Sequence, residues 1–310
     1  MTDVVTMGET MAVFSNADVG PLRHATHLRL GAAGAESTVA IGVSRLGLSA
    51  AYIGRVGADE LGRAVLARLR GEGLDVSAVR VDPDAPTGLM VKERRTTRVS
   101  RVVYYRSGSA GSRLSVEDVP ASLAAAKVLH VSGVTPALSE SALAATRHAV
   151  RTAKDAGVTV SLDYNYRAAL WTPERARDVL RELTADADIV FAGEDEARLV
   201  TGGATPRDLA AYGPAQAVVK LGAAGAVALV DGAAYRAAAV PVPVADPVGA
   251  GDAFVAGYLA ALLQGQDPGE RLRAGCRLGA FAVSVPGDWE GLPLAHEVGL
   301  LDEADGEVLR

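Results

Sequence analysis

One cysteine, Cys276, stands among 310 residues, so no internal disulfide can form and a small cross-linked secreted fold is excluded. No basic segment followed by an apolar one opens the chain, and with the lone thiol this makes the reducing cytoplasm the expected address. Long apolar runs are missing too. The longest stretch free of charged residues, Ala253 to Gln266, contains glycine and glutamine and falls short of the roughly 20 apolar residues a membrane span needs. There is no basic excess: 31 Lys+Arg against 37 Asp+Glu give a formal charge of −6, which argues against a nucleic-acid partner. No lysine follows a glycine, so there is no Walker A loop, and no G-x-S-x-G supplies a nucleophile elbow. The histidines, His24, His27, His130, His148 and His296, show neither H-E-x-x-H nor a cysteine-paired zinc spacing. Lysine itself is scarce. With only Lys92, Lys127, Lys154 and Lys220 present, most positive charge is arginine, and any lysine beside a motif gains weight.

What is present is a soluble globular composition, 49% hydrophobic, in a chain able to bury about three quarters of its unfolded surface. Short β-branched runs begin at Val128, Val158, Asp188 and Ala217, spaced 30, 30 and 29 residues apart, the size of a βαβ unit. Between them lie helical patterns such as Ser139 to Ala156 and Pro173 to Leu183, the latter with Thr172 as N-cap and Pro173 at the first helical position. A strand over Val4–Met7, a helix over Glu36–Leu46 and a strand over Ala50–Gly54 extend the series. The pattern predicts an α/β fold, a mostly parallel central sheet with helices on both faces, in a single domain over residues 1–310. Residues Thr87 to Arg106 break the rhythm as two β-type runs joined by the polar turn Arg94 to Arg98. A hairpin that projects as a lid over the carboxyl ends of the strands is expected there, with part of 10–30.

The most informative stretch is Asp246-Pro247-Val248-Gly249-Ala250-Gly251-Asp252, which feeds an apolar, alanine-rich helix. Gly249 and Gly251 let successive N–H groups converge, and the helix start adds unpaired donors and partial positive charge. Such a place holds phosphate oxygens. A carboxylate there repels phosphate, so Asp252 either caps the helix or accepts a proton from an attacking hydroxyl. Lys220 ends a strand before the Gly222–Gly225 loop and reads either as a phosphate contact or as a surface lysine before a turn.

The segment DPVGAGDAFVAGYL resembles the second signature of the ribokinase-like (PfkB) carbohydrate kinases. Leu30 to Gly47 resembles the first, and Tyr52 to Gly62 the block after it. Within the family the chain looks most like the 2-keto-3-deoxygluconate kinases, through Gly8-Glu9, YYRSGSAGS (Tyr104–Ser112), SGVTPALS (Ser132–Ser139), SLDYNYR (Ser161–Arg167) and GDWEGLP (Gly287–Pro293). The resemblance implies a three-layer sandwich with a small β lid. It implies Gly34, Met90, Tyr104, Arg106, Arg167, Asp252 and Asp288 at the sugar acid, with Asp252 as base beside Gly249, Ala250 and Gly251. It also implies Asn165, Arg167, Lys220, Gly222, Gly225, Gly249, Gly251 and Cys276 at the nucleotide. Glu196 stands where the family has a magnesium-linked glutamate, acting through water, and reads equally as a helix N-terminal charge.

Departures from the pattern are Ala33, Thr38, Met90, Gly193, Leu221 and Cys276. The implied cofactors are ATP and Mg²⁺, with a monovalent cation as an optional third. The implied partners are a sugar acid and further copies of the chain in a dimer or larger assembly, with no membrane and no nucleic acid. Arg106 and Arg167 support the acid independently, since guanidinium forks suit a carboxylate; composition alone equally allows a solvated Arg106 on the hairpin and an Arg167 paired with an acidic neighbour. Alternatives are a kinase of the same fold for a neutral sugar, such as fructose or ribose, or for a nucleoside, and a catalytically silent nucleotide- and sugar-binding sensor.

Overall fold

The chain alternates between two sheets, and the cleft lies where they face each other. The computed structural model describes residues 1–16, 18–96 and 99–302; Thr97 and Arg98 of the expected turn, and the last residues of the expected 1–310 domain, lie outside the described residues. In chain order the elements are β1 (Val4–Met7), β2 (Met11–Asn16), β3 (Leu28–Ala33), α1 (Ala35–Arg45), β4 (Ala50–Gly57), α2 (Glu60–Gly71), β5 (Val79–Asp82), β6 (Leu89–Arg94), β7 (Ser100–Tyr105) and β8 (Val128–Ser132). Then follow α3 (Glu140–Asp155), β9 (Thr159–Asp163), α4 (Pro173–Asp186), β10 (Ile189–Gly193), α5 (Glu194–Thr201), α6 (Pro206–Ala210), β11 (Gln216–Lys220), β12 (Ala226–Val230), β13 (Ala233–Ala237), α7 (Ala250–Leu263) and α8 (Pro268–Ser284).

The large sheet has the order β13-β12-β11-β10-β9-β8-β1-β4-β5. Its strands from β11 to β5 pair in parallel, and apolar clusters cover both faces, one including Ile41, Phe254 and Tyr258, the other Leu143, Val160 and Leu180. A parallel sheet buried on both sides reads as continuous β-branched runs. That is why the spacing from Val128 onward was legible. Helix starts are set by side chains at the cap. The Ser139 hydroxyl accepts from the Ala142 amide and the Thr172 hydroxyl from the Arg175 amide, each cap contributing about 1 kcal/mol.

The sheet departs from the expected pattern at one edge, where β12 and β13 run antiparallel. They are joined by Asp231-Gly232, both with positive φ (+48° and +84°), the backbone an Asp-Gly hairpin turn requires.

The expected hairpin forms, as β6 and β7, but within a four-stranded sheet of order β3-β2-β6-β7. An isolated hairpin is marginal in water. Residues 11–33 supply the other two strands and a small core of Met11, Val13, Ala33 and Met90. Alternation puts Met90, Lys92, Val102 and Tyr104 on the face toward the large sheet, and Val91, Val103 and Tyr105 on the opposite face.

Candidate active site

A cleft of about 820 Å³ lies between the small sheet and the α7 start, walled also by Val134 after β8 and Arg167 after β9. It brings together Gly34, Met90, Tyr104, Arg106, Arg167, Gly249, Asp252 and Asp288. Gly34 begins α1 in extended backbone. A Cβ there would lie 2.6 Å from the Glu9 carbonyl oxygen and 2.8 Å from the Ser37 hydroxyl, so a side chain is excluded by contact with the core. Gly249 has φ +77° and begins α7, and a Cβ there would lie 2.0 Å from the Asp288 carbonyl oxygen.

Asp252 sits in the first turn of α7, where Asn165 Nδ2 donates to its Oδ1 at 3.0 Å. Asn165 is buried and holds φ +38°, a left-handed backbone that aims its amide at the aspartate. Burial and the Asp163 charge push the Asp252 carboxyl up to about 7, against the pull of Lys220 and Arg167. A base whose proton affinity matches neutral pH is suited to take a hydroxyl proton and release it again.

Lys220 Nζ lies 2.7 Å from Asp163 Oδ2. Burial works against its charge, yet Asp163, Glu196 and Asp252 hold the ammonium above its ordinary range. The same Nζ would lie 3.2 Å from a Cβ at Gly251, which puts a fixed cation beside the helix start. Asp163 Oδ1 is buried without a partner. A hydrated divalent ion would satisfy it, and one or two carboxylates plus nucleotide phosphates are the usual magnesium donor set. The residues present therefore fit Mg²⁺ entering with a nucleotide.

Arg106 is not the solvated hairpin residue that composition alone allows. Its Nε and Nη2 hold Glu9 Oε2 at 2.8 and 2.6 Å, and its guanidinium lies 5.8 Å from the Tyr104 ring centroid. Nη1 has no partner among the described residues. Arg167 is exposed, and its Nη1 donates to the Tyr166 carbonyl at 3.2 Å; no described carboxylate pairs with it. Asp288 is pushed up to about 7 by burial and by Glu290 and Asp246, against Lys92 and Arg167.

The description "pfkB family carbohydrate kinase" matches residues 1–295. The chain belongs to the pfkB family of carbohydrate kinases. It is 38% identical over 305 residues to a 2-dehydro-3-deoxygluconokinase of Bacillus subtilis (96% of this chain, 94% of that one). It is 39% identical over 307 residues to one of Thermoproteus tenax (96% and 93%). A 2-dehydro-3-deoxygalactonokinase of Haloferax volcanii is 34% identical over 294 residues (92% of each). Among solved structures, a PfkB protein from Polaromonas superposes with a TM-score of 0.88 at 39% identity, covering 96% of this chain and 99% of that one. An E. coli protein in complex with ATP and Mg²⁺ superposes at 0.90 with 26% identity (97% and 99%). These likenesses bear out the expected ribokinase-like fold and sugar-kinase class.

Several expected residues of this pfkB kinase lie outside the cleft. Asn165 donates to Asp252 from outside it, Ala250 and Gly251 open α7, and Lys220 reaches that helix start from β11. Gly222 (φ +56°) and Gly225 (φ +92°) shape the turn between β11 and β12. A Cβ at Gly225 would lie 2.1 Å from the Ala237 carbonyl oxygen. Cys276, on α8, packs in the apolar cluster that includes Phe254, and burial pushes its thiol up to about 11. Both Glu196 oxygens accept from backbone amides, Tyr166 at 2.8 Å and Gly193 at 2.7 Å, so Glu196 ties the α5 start to the Asn165–Arg167 loop. The roles of Glu9 and Asp163 were missed, although each is a carboxylate at the end of an apolar strand segment and both fall inside quoted motifs. No helix among the described residues is long and apolar enough to cross a membrane.

Proposed function

We propose that this pfkB kinase transfers the γ-phosphoryl group of ATP to the terminal primary hydroxyl of a six-carbon keto-deoxy sugar acid, 2-keto-3-deoxygluconate first. The observation that carries the proposal is one cleft holding Asp252, pushed up to about 7 at a helix start, together with Arg106 and Arg167. The relatives named for 2-dehydro-3-deoxygluconate at 38–39% identity support the substrate. Asp252 removes the proton of the substrate's primary hydroxyl while Asn165 fixes its orientation. The amides of the Gly249–Asp252 start and Lys220 stabilise the charge that builds on the transferred group. Mg²⁺, when bound, neutralises phosphate charge; Asp163 Oδ1 and, through water, Glu196 are the residues that would hold it.

The carboxylate of the substrate is held by Arg106 and Arg167. Glu9 already engages two nitrogens of Arg106, so the fork is oriented before substrate arrives, while Arg167 is exposed and makes no ion pair with a described carboxylate. Arg106→Lys keeps Glu9 paired but removes the planar fork. It is expected to raise KM for the acid by about tenfold or more, one charged hydrogen bond's worth, and to leave KM for fructose nearly unchanged. Equal losses on both substrates would remove the clamp. The function itself is tested by ATP-dependent turnover of 2-keto-3-deoxygluconate, its galactonate epimer, fructose, ribose and adenosine, in potassium and in tetramethylammonium salts. Preference for a neutral sugar or a nucleoside overturns the substrate, and no turnover on any overturns the enzyme.

The chain forms a dimer through the outer face of the small sheet, where Val103 (52% exposed) and Tyr105 (63%) stand uncovered. Val103→Glu is expected to give a monomer by light scattering; a monomeric parent protein at micromolar concentration refutes the contact.

A further inference from the structure

Of the four lysines, one lies in the small sheet, and it is buried. Lys92 projects from β6 and forms an ion pair with Asp246, the two side chains only 10% and 7% exposed. A buried ion pair is a poor source of stability, because desolvation of both charges offsets their attraction. Its value has to be sought in what it connects.

Asp246 heads the turn that carries Gly249 and Asp252. Its Oδ1 accepts from the Val248 amide at 3.3 Å, and its Oδ2, which also takes the Lys92 ammonium, accepts from the Gly287 amide at 3.3 Å. The next residue, Asp288, is the one whose carbonyl oxygen leaves no room for a Cβ at Gly249, and Lys92, ahead of Arg167, favours its charged form. One ion pair therefore joins the lid strand to the head of the phosphate-binding turn, and Asp246 carries the link on to the Gly287 amide of the 287–288 loop. Lys92 and Asp288 line the main cleft and also a second cavity of about 520 Å³, which includes Asp246, Arg29 and Arg94.

We propose that Lys92 is a positioning residue for phosphoryl transfer: its ammonium neutralises Asp246 and so ties the lid to the turn that holds the Gly249 amide and Asp252. The protein carries in Lys92 a tethered cation at a place where a carboxylate and two amides would otherwise enclose an unbalanced charge. The inference rests on the reading of the Gly249–Asp252 turn as the site of transfer.

Lys92→Ala removes the ammonium from the second cavity, which Asp246 also lines, without replacing any group assigned to substrate or ATP. It is expected to lower kcat by about tenfold or more with KM for ATP little changed, the signature of lost positioning. Because the missing charge is small and its place reachable, potassium or ammonium should restore kcat by about threefold or more where tetramethylammonium at equal ionic strength does not. The parent protein should respond to none of them. If kcat stays within about twofold of the parent, or if it falls and no small cation restores it, the ammonium is structural only and the proposal fails. Should Lys92→Ala not fold, Asp246→Asn removes the pair from the other side at constant shape. It is expected to reduce kcat similarly, and a kcat within twofold of the parent overturns the proposal. Turnover of the parent by the sugar acid and ATP, run alongside, separates failure of this inference from failure of the function.

Discussion

Asp252→Ala is expected to lower kcat by about 10²–10⁴-fold, the usual contribution of a positioned general base, while ATP still binds. The expectation follows from the geometry at the α7 start: Asn165 orients one oxygen at 3.0 Å, and the carboxyl, pushed up to about 7, is basic enough to accept a proton near neutral pH. Activity within tenfold of the parent would end the base assignment. The same raised value sets the pH dependence. Asp252 works only deprotonated, so kcat/KM should fall as pH drops through about 7, and the acid limb should weaken in the alanine variant, where Asp288 is the cleft carboxyl still pushed up to about 7.

Stability is expected to move the other way. A group whose folded-state proton affinity is raised binds its proton more tightly in the folded chain, so its ionised form weakens the fold as pH rises from the ordinary carboxylate range through about 7. At pH 8 the alanine variant should therefore have a Tm equal to or above the parent's. A variant that is inactive and also much less stable would point to a helix cap, the other reading the sequence allows for this residue.

That second reading shows where sequence stopped. The Gly249–Asp252 turn was legible because its residues are contiguous, and a contiguous motif keeps its geometry. The pairs that tune the site were not, because their members come from distant points in the chain. Glu9 and Arg106 are separated by 97 residues, Asp163 and Lys220 by 57, Lys92 and Asp246 by 154. Composition could mark Lys92 and Lys220 as scarce but could not say which carboxylate each would meet. Tyr104 and Tyr105 make the same point on a smaller scale. Alternation predicts that they face opposite ways; register with Met90 decides that Tyr104 faces the cleft. The β12–β13 edge was readable in principle from Asp231-Gly232, but a hairpin there interrupts the βαβ rhythm that organised everything before it.

Gly249→Ala is expected to have the second large effect, on both fold and rate. Two independent constraints meet at this residue. Its φ of +77° is left-handed, a conformation that costs an alanine about 1–2 kcal/mol, and the new Cβ would lie 2.0 Å from the Asp288 carbonyl oxygen, where backbone must move. Relief can come only by shifting the α7 start or the 287–288 loop, and a displacement of about 1 Å at a reacting centre costs about 10²-fold in rate. The predicted outcome is a loss of about 2 kcal/mol or more in denaturant unfolding, with kcat down by about 10²-fold. Gly251→Ala is the control. It has no left-handed φ, and its Cβ would meet only the flexible end of Lys220 at 3.2 Å, so its stability should stay close to the parent's and its kcat loss should be the smaller of the two. If Gly249→Ala folds and turns over as well as Gly251→Ala, the turn is tolerant of its backbone, and the amides at the α7 start are not held for the transferred phosphoryl group. If the two separate as expected, the position of that start, fixed by Asp288 on one side and by Asp246 at its head, is what sets the rate.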